Sequence, residues 1–296
     1  MAQRVFQGAL VALVTPFKDG KVDEARLQEL VEFHVKNGTD ALVPCGTTGE
    51  SPTLSHEEHK RVIEVVIEAA KGRVPVVAGT GSNSTAEAID LTAHAKKAGA
   101  DAVLMVNPYY NKPTQRGLIE HYKAIMEAVD IPIILYNIPG RTGINMLPET
   151  VAALAEYPNI VGIKEASGSL EQMTQVIVLC GDKITVVSGD DTLTLPLMAV
   201  GGKGVISVIA NIVPKDVVEI THAALNGDWK RAREMHLRLF PLCQAMFYET
   251  NPIPVKTAMG LLGMISPELR LPLSPMSEAN VKRLKEAMQH YGLLKG

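Results

Sequence analysis

Residues 132–138 read Pro132-Ile133-Ile134-Leu135-Tyr136-Asn137-Ile138, and residues 160–164 read Ile160-Val161-Gly162-Ile163-Lys164. Both are short, nearly unbroken apolar runs, and each leads into a side chain capable of chemistry. Runs of this length and composition read as strands buried on both faces, the pattern of a parallel sheet. Similar runs lie at 9–15, 41–45, 74–79, 102–106, 184–188 and 204–209, which makes eight. Helical spacing fills most of the intervals. Ser55-His56-Glu57-Glu58 and Ser84-Thr85-Ala86-Glu87 both match a capping box, in which serine and glutamate satisfy each other's free N–H groups.

A unit of strand, loop and helix recurring every 20 to 33 residues or so predicts a parallel α/β fold. Eight such units predict a closed (β/α)8 TIM barrel. An open doubly wound sheet is the alternative, but it usually has fewer strands and a Gly-rich turn after the first. Here that turn is Thr15-Pro16-Phe17-Lys18-Asp19-Gly20. Strand signals stop near residue 214, and helical patterns continue through Val217–Ala224, Trp229–Met246 and Glu278–Tyr291. The expected organisation is a catalytic barrel over 1–213 and a helical C-terminal extension over 214–296.

Composition narrows the function. With 46% hydrophobic and 21% charged residues in 296, the chain is of the soluble globular type and able to bury a large core. The net charge of -3, from 29 basic and 32 acidic residues without long like-charge runs, lacks the footprint of a nucleic-acid binder. A small-molecule partner is expected. Cys45, Cys180 and Cys243 form an odd, widely spaced set that suggests neither a disulfide framework nor a zinc cluster, in keeping with a reducing cytoplasm. Arg4 followed by the apolar run Ala9–Val14 imitates a signal peptide, but the run leads into a polar turn and reads as the first strand. No apolar stretch reaches the roughly 20 residues needed to span a bilayer.

In a barrel the active site lies where the C-terminal strand ends converge. Alternation puts Lys164 on the face of Gly162 and Ala166, small neighbours that leave room for a long side chain. A lysine at a strand end ordinarily snorkels to solvent. A lysine held in a core is rarely there without purpose, and one stripped of water offers a neutral amine to a carbonyl more readily. Tyr136 ends the preceding strand at the same depth, where a phenol can relay protons; the commoner fate of tyrosine is packing with a satisfied hydroxyl. Gly46-Thr47-Thr48-Gly49-Glu50 follows the second strand. It reads equally as an anion cradle of N–H groups and hydroxyls or as a polar turn. With no histidine in the strand-end stretches, Cys45 reads as a small core residue.

Gly46-Thr47-Thr48-Gly49-Glu50, Tyr136-Asn137-Ile138-Pro139-Gly140-Arg141-Thr142-Gly143 and Gly162-Ile163-Lys164-Glu165-Ala166 together resemble the signatures of the dihydrodipicolinate synthase family. That family stands within the wider pyruvate-aldolase superfamily that includes N-acetylneuraminate lyase. The likeness extends through Asn107-Pro108-Tyr109-Tyr110, Ser188-Gly189-Asp190-Asp191, Gly204-Val205-Ile206-Ser207 and Asn251-Pro252-Ile253-Pro254-Val255-Lys256, so it covers essentially the whole chain. It implies a Schiff base between pyruvate and Lys164, with Tyr136 as central proton donor and acceptor. Thr47 and Tyr110 complete the proton relay, Tyr110 reaching in from a neighbouring subunit of a homotetramer arranged as a dimer of dimers. The resemblance gives Thr47 and Thr48 backbone groups the pyruvate carboxylate, Gly189 and Ile206 main chain the pocket lining, and Arg141 the carboxylate of aspartate semialdehyde. Neither metal nor organic cofactor is implied.

The resemblance also implies a place in lysine biosynthesis and feedback inhibition by lysine. The effector would lie at the dimer interface among Ser51, Leu54, His56, His59, Asn83, Glu87 and Tyr109, with Glu87 on its ammonium and Tyr109 and Asn83 on its carboxylate. Plainer readings compete: Glu87 closing a capping box with Ser84, and His59 solvated on a helix. Pro52 stands where an alanine is often seen in lysine-sensitive members.

Three other functions are weighed. A sugar-acid aldolase or neuraminate lyase would share Lys164 and Tyr136, but Arg141 and Thr47-Thr48 argue against it. A phosphate-binding barrel would use Gly201-Gly202-Lys203-Gly204, which precedes its strand and so falls at the wrong end. A pyruvate-sensing or metal-binding module would use His56 and His59 with Glu57 or Glu58.

Overall fold

The computed structural model describes residues 5–295; Arg4 lies outside them. Eight parallel strands form one sheet: β1 (Gly8–Ala12), β2 (Ala41–Val43), β3 (Val77–Gly79), β4 (Ala102–Val106), β5 (Ile133–Asn137), β6 (Ile160–Glu165), β7 (Thr185–Ser188) and β8 (Gly204–Ser207). Neighbours run β2-β1-β8-β7-β6-β5-β4-β3. A bridge between Leu42 and Val76 joins the two outer strands and closes the ring. The eight runs read from the sequence are thus the eight strands of a TIM barrel, and the open sheet is excluded.

Helices α1 (Glu24–Lys36), α2 (His56–Ala70), α3 (Thr85–Ala98), α4 (Gln115–Ala128), α5 (Pro148–Leu154), α6 (Leu170–Cys180) and α7 (Thr194–Ala199) follow β1 to β7 in turn. Helix α8 (Pro214–Leu225), grouped with the extension on sequence grounds, packs against β1 and β8, where a barrel's eighth helix belongs. Beyond it come α9 (Trp229–Ala245), α10 (Ile253–Leu261) and α11 (Glu278–Tyr291).

Alternation along the strands divides the core in two. Leu10, Val43, Leu104, Ile134 and Ile206 fill the barrel interior, while Val11, Leu42, Val103, Ile133 and Ile163 face the helices. Truncating a buried isoleucine such as Ile134 to alanine costs about 2–5 kcal/mol in such surroundings. Pairing of β5 with β6 shifts by one residue, Ile133 opposite Ile160 and Ile134 opposite Gly162. The close packing there admits only glycine at 162, because an added Cβ would lie 2.9 Å from the Thr185 carbonyl oxygen.

The two predicted capping boxes part company. Ser55 and Glu58 cap α2 reciprocally. At α3 the Ser84 hydroxyl accepts the Glu87 N–H, but the return bond is absent. The Ser84 N–H goes to the Ser82 hydroxyl at 3.0 Å, and the Glu87 carboxylate is engaged by Ser82 and by His56. A nearer acceptor displaced the glutamate.

Candidate active site

Tyr136 and Lys164 are register partners on β5 and β6, both pointing into the barrel and each 5% exposed. The lysine amine sits 4.3 Å from the centroid of the tyrosine ring. Space for the lysine depends on Gly189 at the end of β7, where an added Cβ would come within 3.2 Å of Lys164 Cε and 2.5 Å of Ala166 Cβ. Beside it, burial raises the Asp190 carboxyl above its ordinary range and the charge of Lys164 draws it back. Ile206 is fully buried on β8. The turn after β8 is held by Asp191, whose Oδ2 accepts the Val208 and Ile209 N–H groups, each at 3.0 Å.

The residues next in sequence point the other way and meet a polar network unforeseen from the sequence. The Asn137 side-chain amide donates to Glu165 at 3.0 Å and to Asn145 at 2.8 Å. Asn107 donates to Asn137 at 3.2 Å, and the Tyr122 hydroxyl donates to Asn107 at 3.0 Å. Glu165 also accepts the Ser167 N–H at 2.7 Å, while burial lifts its carboxyl above the usual range. Because Asn137 pairs with Glu165 just as Tyr136 pairs with Lys164, these bonds on the outer face fix the register of the pair on the inner one. The available signal was the outward polar residue closing each of two otherwise apolar strands.

Above β2, Gly46-Thr47-Thr48-Gly49 is bracketed by two non-glycine residues in the left-handed region, Cys45 (φ 56°) and Glu50 (φ 53°). The Gly49 and Ser51 N–H groups donate to Gly46 O, and the Glu50 N–H donates to Thr47 O. Among the described residues the N–H groups of Thr47 and Thr48 find no acceptor. Thr48 is buried, and unpaired N–H groups there suit an anion. Its hydroxyl accepts from Asn251 Nδ2 at 3.0 Å, and Asn251 O accepts from Arg141 at 3.0 Å, so one residue spans the turn and the arginine. The Cys45 thiol is buried and pushed far above the ordinary thiol range by desolvation, which suits a core residue and not a nucleophile.

A second unforeseen feature locks this turn. Glu50 and Lys256 are fully buried and form an ion pair at 2.5 Å. Both stood inside quoted motifs, but neither had a partner readable from its neighbours.

Thr47, Tyr136 and Arg141 line one cavity of about 340 Å³, and Ser51, Leu54, His56, His59, Glu87 and Tyr109 line it as well. Asn83 is not part of that wall; its carbonyl accepts from the Asn111 side chain. His59 is buried, not solvated: Nε2 lies 2.7 Å from Gly79 O, and desolvation keeps the imidazole below its ordinary range. His56 Nε2 lies 2.8 Å from Glu87, so the two imidazoles turn to different partners and do not converge as metal ligands. Tyr109 is half-buried near Glu87, and burial followed by that carboxylate raises its hydroxyl. Tyr110 stands apart: it is 89% exposed with φ 71°, outside its own chain's cavity. Gly201-Gly202-Lys203-Gly204 lies at the opposite end, where Gly8 N–H donates to Lys203 O.

An amine against a phenol, with two unpaired N–H donors and an arginine on the same mouth, suits imine chemistry on a small keto acid. Comparison with known proteins agrees. The family model of the dihydrodipicolinate synthetase family matches residues 5–291. A 4-hydroxy-tetrahydrodipicolinate synthase of Geotalea uraniireducens is 62% identical, covering 98% of this chain and all of its own. The crystal structure of dihydrodipicolinate synthase from Acinetobacter baumannii complexed with pyruvate superposes with a TM-score of 0.96 at 49% identity, covering 97% and 99% of the two chains. That of Cyanidioschyzon merolae with lysine bound gives 0.95 at 44%, covering 98% and 100%.

Proposed function

The chain belongs to the dihydrodipicolinate synthetase family, and on that premise we propose how its residues condense pyruvate with L-aspartate 4-semialdehyde to 4-hydroxy-tetrahydrodipicolinate. The pyruvate carboxylate binds the Thr47 and Thr48 N–H groups. Lys164 Nζ attacks the keto carbon, and Tyr136 passes a proton to the departing hydroxyl as water leaves and the protonated imine forms. The imine draws electrons from the methyl carbon, which loses a proton to become an enamine. The enamine carbon attacks the aldehyde, whose substrate carboxylate Arg141 holds. The substrate amine then adds to the imine carbon, closes the ring and expels Lys164 as free amine. Thr47 and Tyr110 extend the proton path from Tyr136.

The observation that carries this reading is Lys164, 5% exposed, with its amine 4.3 Å from the Tyr136 ring on the paired strand. Reduction with borohydride in the presence of pyruvate tests it. One three-carbon unit should attach to the peptide holding Lys164; an unmodified Lys164, or a label elsewhere, overturns the assignment.

The active assembly is a homotetramer, a dimer of dimers in which Tyr110 enters a neighbour's site; its exposure and left-handed backbone support a role outside its own chain. Exposed Leu170, Val178 and Leu179 on α6 and Val200 after α7 supply apolar surface for a second contact. Lysine acts as a feedback inhibitor in the outer part of the cavity, its ammonium on Glu87. The clustering of six of the seven expected residues around one cavity supports this. Three free, buried cysteines support a cytoplasmic setting, and no helix among the described residues is long and apolar enough to cross a membrane.

A further inference from the structure

Lys256 lies on α10, in the C-terminal helices, yet its amine reaches the barrel mouth. There it donates to Glu50 Oε1 at 2.5 Å and to Thr15 O at 3.0 Å, over the face of Phe17 at 4.2 Å. The other Glu50 oxygen accepts the Arg270 N–H at 3.2 Å. Thr15 in turn donates its hydroxyl to Gly49 O at 2.7 Å. Three of these four bonds end on the last two residues of the Gly46–Glu50 turn, and the fourth holds Thr15, which bonds Gly49.

A fully buried ion pair is poor evidence for stability, because well-packed apolar residues of similar volume commonly replace one without loss. Separating the partners, by contrast, leaves a bare charge in the core at high cost, so the turn carrying Glu50 is held where Lys256 meets it. Glu50 also occupies the left-handed region, which a side chain adopts only when its surroundings hold it there. Three and two residues before it, the unpaired N–H groups of Thr47 and Thr48 need a fixed direction to receive an anion.

We propose that Glu50 and Lys256 are positioning residues for pyruvate: their ion pair clamps the turn so that the Thr47 and Thr48 N–H groups point at the keto acid's carboxylate. The C-terminal helices thereby take part in substrate recognition. The proposal rests on the reading of Thr47 and Thr48 as the carboxylate site.

The test measures the pyruvate concentration that half-saturates borohydride trapping at Lys164, in wild type and in Glu50→Gln/Lys256→Met, which removes both charges and keeps their volume. The double variant should need about tenfold more pyruvate, while KM for aspartate semialdehyde and turnover at saturating pyruvate stay within about threefold. Half-saturation equal to wild type, with or without a lower unfolding temperature, makes the pair structural only and overturns the proposal. If the double variant does not fold, Thr15→Val, which deletes only the hydroxyl bonded to Gly49 O, is read in its place. A rise of about threefold is expected there, and no rise overturns the proposal. Wild type that is not trapped at Lys164 would remove the underlying assignment and the proposal with it.

Discussion

Lys164 and Tyr136 face each other from adjacent strands, the lysine amine 4.3 Å from the tyrosine ring, because Asn137 and Glu165 lock the same two strands from the outer face. Replacing Tyr136 by phenylalanine keeps the ring that packs on the lysine and deletes only the hydroxyl proposed to relay protons. Turnover should fall roughly 10²–10⁴-fold, while borohydride still traps pyruvate on Lys164 at a slower rate. Full activity in the variant would exclude Tyr136 as the proton carrier.

Arg141 projects from the single turn Pro139–Thr142, tied to Asn251 O at the cavity rim. Arg141→Ala should raise KM for aspartate semialdehyde about 10- to 100-fold, the worth of a charge-assisted hydrogen bond, and leave KM for pyruvate within about twofold. An equal effect on both substrates would refute the division of labour between Arg141 and the Thr47–Thr48 turn.

Glu87 and His56 line the cavity in contact with each other, and the Glu87 carboxylate also engages the Ser82 hydroxyl. Glu87→Ala should require at least about tenfold more lysine for half-inhibition in steady-state assays, with uninhibited turnover little changed. Absence of lysine inhibition in wild type would remove the effector assignment and leave the catalytic one standing.

Tyr110 is 89% exposed and lies outside the cavity of its own chain, as the proposed entry into a neighbour's site requires. Sedimentation should find a tetramer, and specific activity should drop when the protein is diluted until subunits separate. A fully active monomer contradicts the shared site.

His34 is fully buried with Nδ1 against the Thr39 hydroxyl, and desolvation holds it at a pKa of about 3. A histidine whose folded pKa is depressed takes up its proton first in the unfolded chain. Its stabilising contribution is present above about pH 6.5 and is lost as pH falls toward 3. Between pH 6 and 4 wild type should lose about 1.4 kcal/mol per pH unit more than His34→Phe in denaturant titrations. Parallel stability profiles for the two proteins would show that His34 does not govern acid sensitivity.

The barrel could be read before folding because its signals are local. A strand covered on both faces must be apolar along its whole length, so eight short apolar runs separated by helical spacing leave little room for another architecture. The inward positions of Tyr136 and Lys164 follow from the same rule of alternation, although each strand runs one residue further than the apolar pattern shows, to Asn137 and Glu165. Local rules failed where two groups competed for one partner. Ser84 and Glu87 satisfy the capping pattern, yet the Ser82 hydroxyl, two residues away, takes the Ser84 N–H and engages the glutamate.

By itself, then, the sequence determined the eight strands, the parity that turns Tyr136 and Lys164 inward and the motifs that mark the family, because each is written in residues a few positions apart. Only the tertiary structure decided that His59 is buried against Gly79 and that Glu165 and Asn137 brace the strands carrying Lys164 and Tyr136. It alone joined Lys256 to Glu50 and Asn251 to Thr48, residues 206 and 203 positions apart. A charged side chain has the same local neighbours whether it meets water or a counter-charge. Its burial is set by what the rest of the chain lays over it, and no local pattern encodes that.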